Sequence, residues 1–373
     1  MTSVPVEPLD PGRDGDLVIV ANRLPVSYDG AGGWQSSPGG LVSAVLPVAE
    51  RRRSTWVGWP GSADAPALAA MPGAAAGGRL HPVALSADEA DGYYAGYANS
   101  LLWPLFHGFP ERAVSEPEWW AQYRAVNERF ARAASTAAAP GATVWVHDYH
   151  LLLVPRLLRE LRPDVAIVFF LHIPMAAPGE FARLPVAEAE ALLAGVAAAD
   201  LIGVQSDTDR EHLRVATGGK ARVETFPISI DPAGFQSRAA EADAPRRARA
   251  LREALGSPHR LVLSVDRIDY TKGILERMRA WGALLRRHPE WVGRATLLQV
   301  LTPTREHLPA YRSLRAEVDA AAAALLREFG GTGAPPLVQR FEHLGAEGLS
   351  DHYRAADLLA VTSLRDGMNL VAK

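Results

Sequence analysis

Two basic side chains flank one turn in the segment SVDRIDYTKG: Arg267 follows an apolar run ending at Val265, and Lys272 stands just before Gly273, where a helical pattern opens. Cations on both sides of a strand-to-helix turn can face the free amides of the helix start, a combination that suits a diphosphate. A solvated strand-to-helix loop has the same composition, so spacing alone leaves both readings open. A second turn, RDGMNLVAK, also follows an apolar run. Its Gly367 lets backbone approach a ligand closely, the amides of Gly367, Met368 and Asn369 would project from a helix start, and Asp366 can accept from hydroxyls. Asp-Gly by itself is equally an ordinary turn and helix cap.

In the first half, VANRLPVSYDGAGGWQSSPGGLVSAV runs from a strand through a long Gly-rich loop into a helix. It lacks the GxGxxG dinucleotide spacing; Gly39 and Gly40 instead let a loop close over a ligand, and Arg23 is a candidate anion clamp. VHDYHLL and FFLHIPM place Asp148 and His172 at strand ends, where polar residues tend to be functional, although a histidine there is satisfied structurally about as often. No His-x-Glu-x-x-His or EF-hand spacing is found, so no metal and no cofactor is expected.

Positioning these residues requires a particular scaffold. Runs rich in Val, Ile and Leu (DLVIVA, STWVGW, TVWVHD, VAIVFFLH, LIGVQS, then RLVLSVD, ATLLQVL, PLVQRFE, LLAVTS) alternate with segments of helical period such as SEPEWWAQYRAVNERFARAAS and GILERMRAWGALLRRHPEW. Two-sided apolar strands separated by helices predict an α/β protein with parallel, doubly wound, Rossmann-like sheets. The pattern breaks at the charged stretch QSRAAEADAPRRARALREALG and restarts at Leu261, which predicts one domain over residues 1–235 and a second over 236–373. The Ala/Gly run AAMPGAAAGG reads as a surface loop without a role.

Composition bounds the rest. A length of 373 residues favours two lobes. A net charge of −3 points away from nucleic acid, and the absence of cysteine excludes a thiolate nucleophile and a disulfide framework. The N-terminus carries no apolar leader, and the run VAIVFFLHIPM is short of the ~20 residues that span a bilayer. The expectation is a cytoplasmic protein whose partners are small-molecule substrates, not nucleic acid or membrane, with a homo-oligomer left open.

In order along the chain, ANRLPV, PGGLV, WVGWPG, YYAGYANSLLWPLFH, WWAQYRAVNERFA, VWVHDYHLLLVP, FFLHIP, LIGVQS, FPISID, DRIDYTKG and LRDGMNLVAK resemble the trehalose-6-phosphate synthase family, retaining GT-B glycosyltransferases that move glucose from a nucleotide sugar to glucose 6-phosphate. The resemblance implies that Arg23, Tyr94 and Arg305 hold the acceptor phosphate and that Trp103 walls the acceptor pocket. It implies that Gly40 contacts the nucleotide sugar, that Arg267 and Lys272 bind its diphosphate, and that Asp366 with the following amides holds the transferred glucose. Leu370, Val371, Ala372 and Lys373 would line the nucleotide, and Asp148 and His172 would sit at the reacting sugars. Retention in such enzymes is explained by front-face attack, with the departing diphosphate taking the acceptor proton and no carboxylate nucleophile required.

Two departures bear on the uridine-or-guanosine choice and on the acceptor: Leu344 stands where relatives often carry an aromatic, and HIPMAAPGEFARLP differs from the usual Pro-rich form. The ending is the larger departure. Relatives continue past the lysine with a ribose-binding glutamate and further βα units, so the second domain is expected to be truncated, with donor binding and turnover weakened. Other readings of the same residues are a pseudo-glycosyltransferase, a glucosylglycerol-phosphate synthase, or a non-catalytic sugar-phosphate-binding protein.

Overall fold

The computed structural model describes residues 16–28, 34–36, 40–52, 54–61, 79–331 and 333–373. Gly39 and the Ala/Gly run at 69–78 lie outside them. The chain divides into two compact units, Met1–Ile228 and Ser229–Lys373. The sequence-based boundary after residue 235 instead falls within a helix, Pro232–Ala239.

The first unit is built on β1 (Leu17–Arg23), β2 (Val26–Tyr28), β3 (Trp34–Ser36), β4 (Thr55–Trp59), β5 (Arg79–Pro82), β6 (Thr143–His147), β7 (Ala166–Phe170), β8 (Leu201–Val204) and β9 (Val223–Thr225). Seven of these form one parallel sheet in the order β5-β4-β1-β6-β7-β8-β9. Central strands covered on both faces need apolar residues at every position. Val18, Ile19 and Val20 accordingly have no exposed surface. Leu17, Ile19 and Ala21 point to one face, where Val45 and Ala49 of the helix Gly40–Arg51 pack with Trp56. The long Gly-rich loop expected after β1 contains an antiparallel hairpin instead, with Val26 opposite Ser36 and Tyr28 opposite Trp34. Two aromatic-bearing runs of three residues pair where a count of glycines predicts only coil.

A continuous helical segment runs from Ala87 to Phe106, and its middle, Ala90–Leu102, is a π-helix. Asn99 Nδ2 and Ser100 Oγ donate to the carbonyls of Tyr94 and Ala95, each five residues back. Such widened turns are rare and occur mostly at functional sites. Tyr93 and Tyr97 pack here on Tyr123 of the helix Pro117–Ala137, and the two glycines between them and that helix are close fits: a Cβ on Gly92 would lie 1.2 Å from Gln122, and one on Gly96 would lie 2.5 Å from Trp119.

The second unit carries β10 (Arg260–Arg267), β11 (Ala295–Thr302), β12 (Leu337–Arg340) and β13 (Leu358–Leu359), all parallel, in the order β12-β11-β10-β13. Leu261, Leu263, Leu298 and Val300 pack on one face against Ala248, Leu255 and Ala355. The helix Ile274–Arg287 buries Ile274, Met278, Trp281 and Leu285 in turn, the one-sided stripe its sequence predicts. Every apolar run picked out in the sequence contains a strand. Each sheet reverses its winding once, between β1 and β6 in the first unit and between β10 and β13 in the second. In open α/β sheets, ligands bind beyond the carboxyl ends of strands at such a reversal.

Candidate active site

In the first unit the strand ends beside the reversal supply Arg23 from β1, Trp59 from β4, His147 and then Asp148 from β6, and His172 after β7. The Arg23 guanidinium carbon lies 4.3 Å from the Trp59 ring centre and 5.3 Å from that of Tyr94. Two ring faces hold the fork without occupying its N–H donors, which suits a planar cation awaiting an anion. Among the described residues no carboxylate lies within ion-pair distance of it. Gly61 lies at φ +93°, a backbone region that favours glycine, and a Cβ there would stand 1.6 Å from Arg23 Nη1 and displace the guanidinium.

Further rings extend the wall. Tyr94 stacks on His150 at 5.8 Å and 13°, His150 abuts Tyr149 at 3.9 Å, and Tyr149 abuts Trp103 at 5.6 Å. The Tyr149 hydroxyl donates to Asn99 Oδ1 at 2.7 Å, tying this wall to the π-helix that carries Tyr94. Of the residues singled out in the sequence, Arg23, Tyr94 and Trp103 therefore belong to one cluster. Trp59 and His150 are partners that sequence reasoning missed, although both lie inside quoted segments; what exposes them is the aromatic character of a strand end and of the residue after HDY.

Asp148 adopts φ 73°, ψ 169°, a backbone region of low population for a non-glycine residue. Strain of this kind costs about 1–3 kcal/mol and is kept where a site depends on it. Its amide donates to the Phe170 carbonyl at 2.8 Å, and its Oδ1 accepts from the His172 amide at 3.1 Å, so the ends of β6 and β7 are locked together. Burial pushes the His172 imidazole down to about 3, so it is neutral at pH 7. Gly40 is the first residue of its helix.

The second unit gathers the other candidates. Arg267 ends β10, and Asp269 caps a single 3-10 turn, Tyr270–Lys272, by accepting from the Thr271 amide at 3.0 Å. Lys272 is 9% exposed, and its Nζ donates to Asp366 Oδ2 at 2.5 Å. Asp366 also accepts from Ser363 Oγ and Asn369 Nδ2. Arg305, at φ 51°, lies in this unit, donating to the Tyr311 hydroxyl at 2.6 Å with Asp269 Oδ2 3.5 Å away. Arg23 and Tyr94 thus share one unit and Arg305 belongs to the other.

The helix start expected at Gly367, Met368 and Asn369 is not formed. Asn369 Oδ1 accepts from the Val371 amide at 3.0 Å and caps one 3-10 turn, Leu370–Ala372, followed by Lys373. A short amide side chain that satisfies backbone two residues on competes with the helical ladder, and it prevails here.

Beneath the Lys272 turn, Gly273 sits at φ 62°, where a Cβ would meet the Thr362 carbonyl oxygen at 2.2 Å. Gly273→Ala should therefore lower stability by more than the about 1–2 kcal/mol of a left-handed non-glycine residue. A urea titration reads this as a lower midpoint at unchanged slope; an unshifted midpoint would show that the turn relaxes without cost.

Among the described residues no helix is long and apolar enough to cross a membrane. A family model, Glycosyltransferase family 20, matches residues 15–373. The trehalose-6-phosphate synthase of Mycobacterium bovis is 41% identical, the match covering 96% of this chain and 78% of that one. The crystal structure of an alpha,alpha-trehalose-phosphate synthase (UDP-forming) from Burkholderia xenovorans in complex with glucose-6-phosphate aligns with a TM-score of 0.84 at 27% identity, covering 96% of this chain and 81% of that one. A structure described as trehalose-6-phosphate from E. coli bound with UDP-2-fluoro glucose aligns with a TM-score of 0.83 at 30% identity, covering 96% and 80%. Both units have the parallel-sheet α/β form of GT-B enzymes. With the family model spanning nearly all of the sequence, the chain belongs to glycosyltransferase family 20.

Proposed function

We propose that this protein transfers glucose from a nucleotide sugar to glucose 6-phosphate with retention, giving α,α-trehalose 6-phosphate. The observation that carries the reading is Arg23, packed against Trp59 and Tyr94 at the carboxyl end of β1, beside the sheet reversal. This cation, with the Tyr94 phenol, is the acceptor-phosphate clamp, and Trp103 walls the sugar. Arg305, in the second unit, is assigned to a phosphate by the family resemblance alone, and Gly40 to the nucleotide sugar. Uridine as the donor base is supported by the UDP-2-fluoro glucose held by the E. coli relative.

In the second unit Arg267 and Lys272 take the diphosphate, Asp366 takes hydroxyls of the transferred glucose, and residues 370–373 take the nucleotide. The bond from the glucose anomeric carbon to the diphosphate oxygen breaks while the bond to the acceptor hydroxyl forms on the same face. The departing diphosphate accepts the hydroxyl proton, so the residues need supply no base, cofactor or metal. Fixed cations stabilise the charge that develops on it. Asp148 and His172, the latter neutral, hold sugar hydroxyls. The reading places the reaction in the cytoplasm, which a cysteine-free chain fits.

Calorimetric titration with glucose 6-phosphate tests the clamp. Arg23→Ala should weaken binding by about 2–3 kcal/mol, the loss of a charge-assisted bidentate contact. Unchanged affinity would remove Arg23 from the phosphate.

A further inference from the structure

His147 is the last residue of β6, has no exposed surface, and is one residue from the strained Asp148. Its Nδ1 lies 2.9 Å from Nε2 of His172, and its ring packs against Trp145 at 4.5 Å. Its other nitrogen, Nε2, is buried with no hydrogen-bond partner. Burial holds both rings neutral, so one proton is shared between the facing nitrogens.

The two ways of placing that proton differ in cost. If His172 Nε2 carries it, His147 Nδ1 must accept, and the His147 proton must then sit on the buried Nε2 as an orphaned donor. If His147 Nδ1 carries it, the buried Nε2 holds only a lone pair. Buried N–H groups without an acceptor are the rarer and costlier defect, whereas an under-used acceptor is tolerated. The second arrangement leaves the proton of His172 on Nδ1, since a neutral imidazole carries one N–H and its tautomer follows from the bond the other nitrogen makes.

We infer that His147 is a positioning residue that fixes His172 as the Nδ1–H tautomer, so that His172 offers a sugar oxygen a hydrogen-bond donor and never a base. Its functional half rests on the proposal that His172 faces the reacting sugars; the tautomer itself does not. The Asp148 carboxylate, which already accepts from the His172 amide, sets the backbone of the same histidine, so the two residues fix ring and main chain separately.

The test is long-range 15N–1H correlation spectroscopy of the histidine rings in the whole protein, alongside glucosyl transfer from UDP-glucose to glucose 6-phosphate. Wild type should show His172 with a protonated Nδ1 and an unprotonated Nε2. His147→Phe keeps an aromatic ring but no donor; it should release the single tautomer and lower kcat about tenfold, the size of one lost hydrogen bond. KM for both substrates should stay within about twofold, since uniform binding is untouched. His147→Asn, whose amide can donate from near the Nδ1 position, should restore tautomer and rate. A protonated Nε2 on His172 in wild type overturns the inference whatever the enzyme does, even should the Phe variant fail to fold. An unchanged kcat in a folded Phe variant that has lost the tautomer also overturns it. A wild-type protein with the Nδ1–H tautomer but no transfer would sink the proposed function and leave the tautomer assignment standing.

Discussion

Lys272→Ala should lower glucosyl transfer about 10²–10³-fold, the cost of removing one preorganised donor from developing charge, while glucose 6-phosphate affinity stays within about twofold. The lysine is held ready. It is 9% exposed, it belongs to a one-turn element capped by Asp269, and its ammonium is fixed by Asp366. Charge on the leaving diphosphate grows toward the transition state, so the lost interaction should register in kcat more than in KM. The fold should survive, because Asp366 keeps Ser363 and Asn369 as partners. Steady-state rates beside calorimetry with glucose 6-phosphate check this, and equal losses in both would identify Lys272 as structural.

The second large effect concerns stability. Arg277 Nη2 lies 2.9 Å from Asp266 Oδ2, with the two side chains 4% and 3% exposed. Removing one member of a buried ion pair leaves the other charge uncompensated, so Arg277→Met or Asp266→Ala should each cost about 3–5 kcal/mol, read from urea unfolding. Replacing both by apolar residues of similar volume should cost less than either single change. The pair also holds the Lys272 turn in place, since Arg277 Nη1 donates to Thr362 Oγ1 at 2.9 Å and the one Thr362 hydroxyl proton is shared between the carbonyls of Lys272 and Gly273. The single variants should therefore also lose turnover.

Burial raises the Asp266 carboxyl from 3.8 to about 6, with the nearby Arg277 charge pulling the other way. A carboxyl raised on folding binds its proton more tightly in the folded state. Its contribution to stability is thus greatest below the unfolded value near 3.8 and is lost as pH rises through about 6. Asp266→Asn should flatten that part of the stability profile.

Much of this was legible in residue order. Central strands such as β1 and β11 are apolar at consecutive positions, so their number and parallel sense could be read directly. Arg23, Asp148, His172, Arg267 and Lys272 lie at or just beyond strand ends, where chain reversal makes polar residues conspicuous. The edge strands of the first sheet were not legible. β5 and β9 are short, and RLHP and VET lack the apolar run that two-sided burial imposes. Nor was the π-helix, since its i→i+5 pattern differs from the 3.6 period used to find helices. The Asp266–Arg277 pair was not legible either, because the two residues come from a strand and the helix that follows it. After Gly367 the chain forms no α-helix but one 3-10 turn, Leu370–Ala372, capped by the Asn369 side chain.

The central claim, retaining glucosyl transfer to glucose 6-phosphate, is tested most directly by incubating the protein with UDP-glucose labelled with 13C at the anomeric carbon and glucose 6-phosphate, and following the label by NMR. The expected product is trehalose 6-phosphate with the labelled carbon in the α configuration, formed one for one with UDP and without free glucose. Label that stays on UDP, appears as free glucose, or emerges in a β linkage would contradict the account.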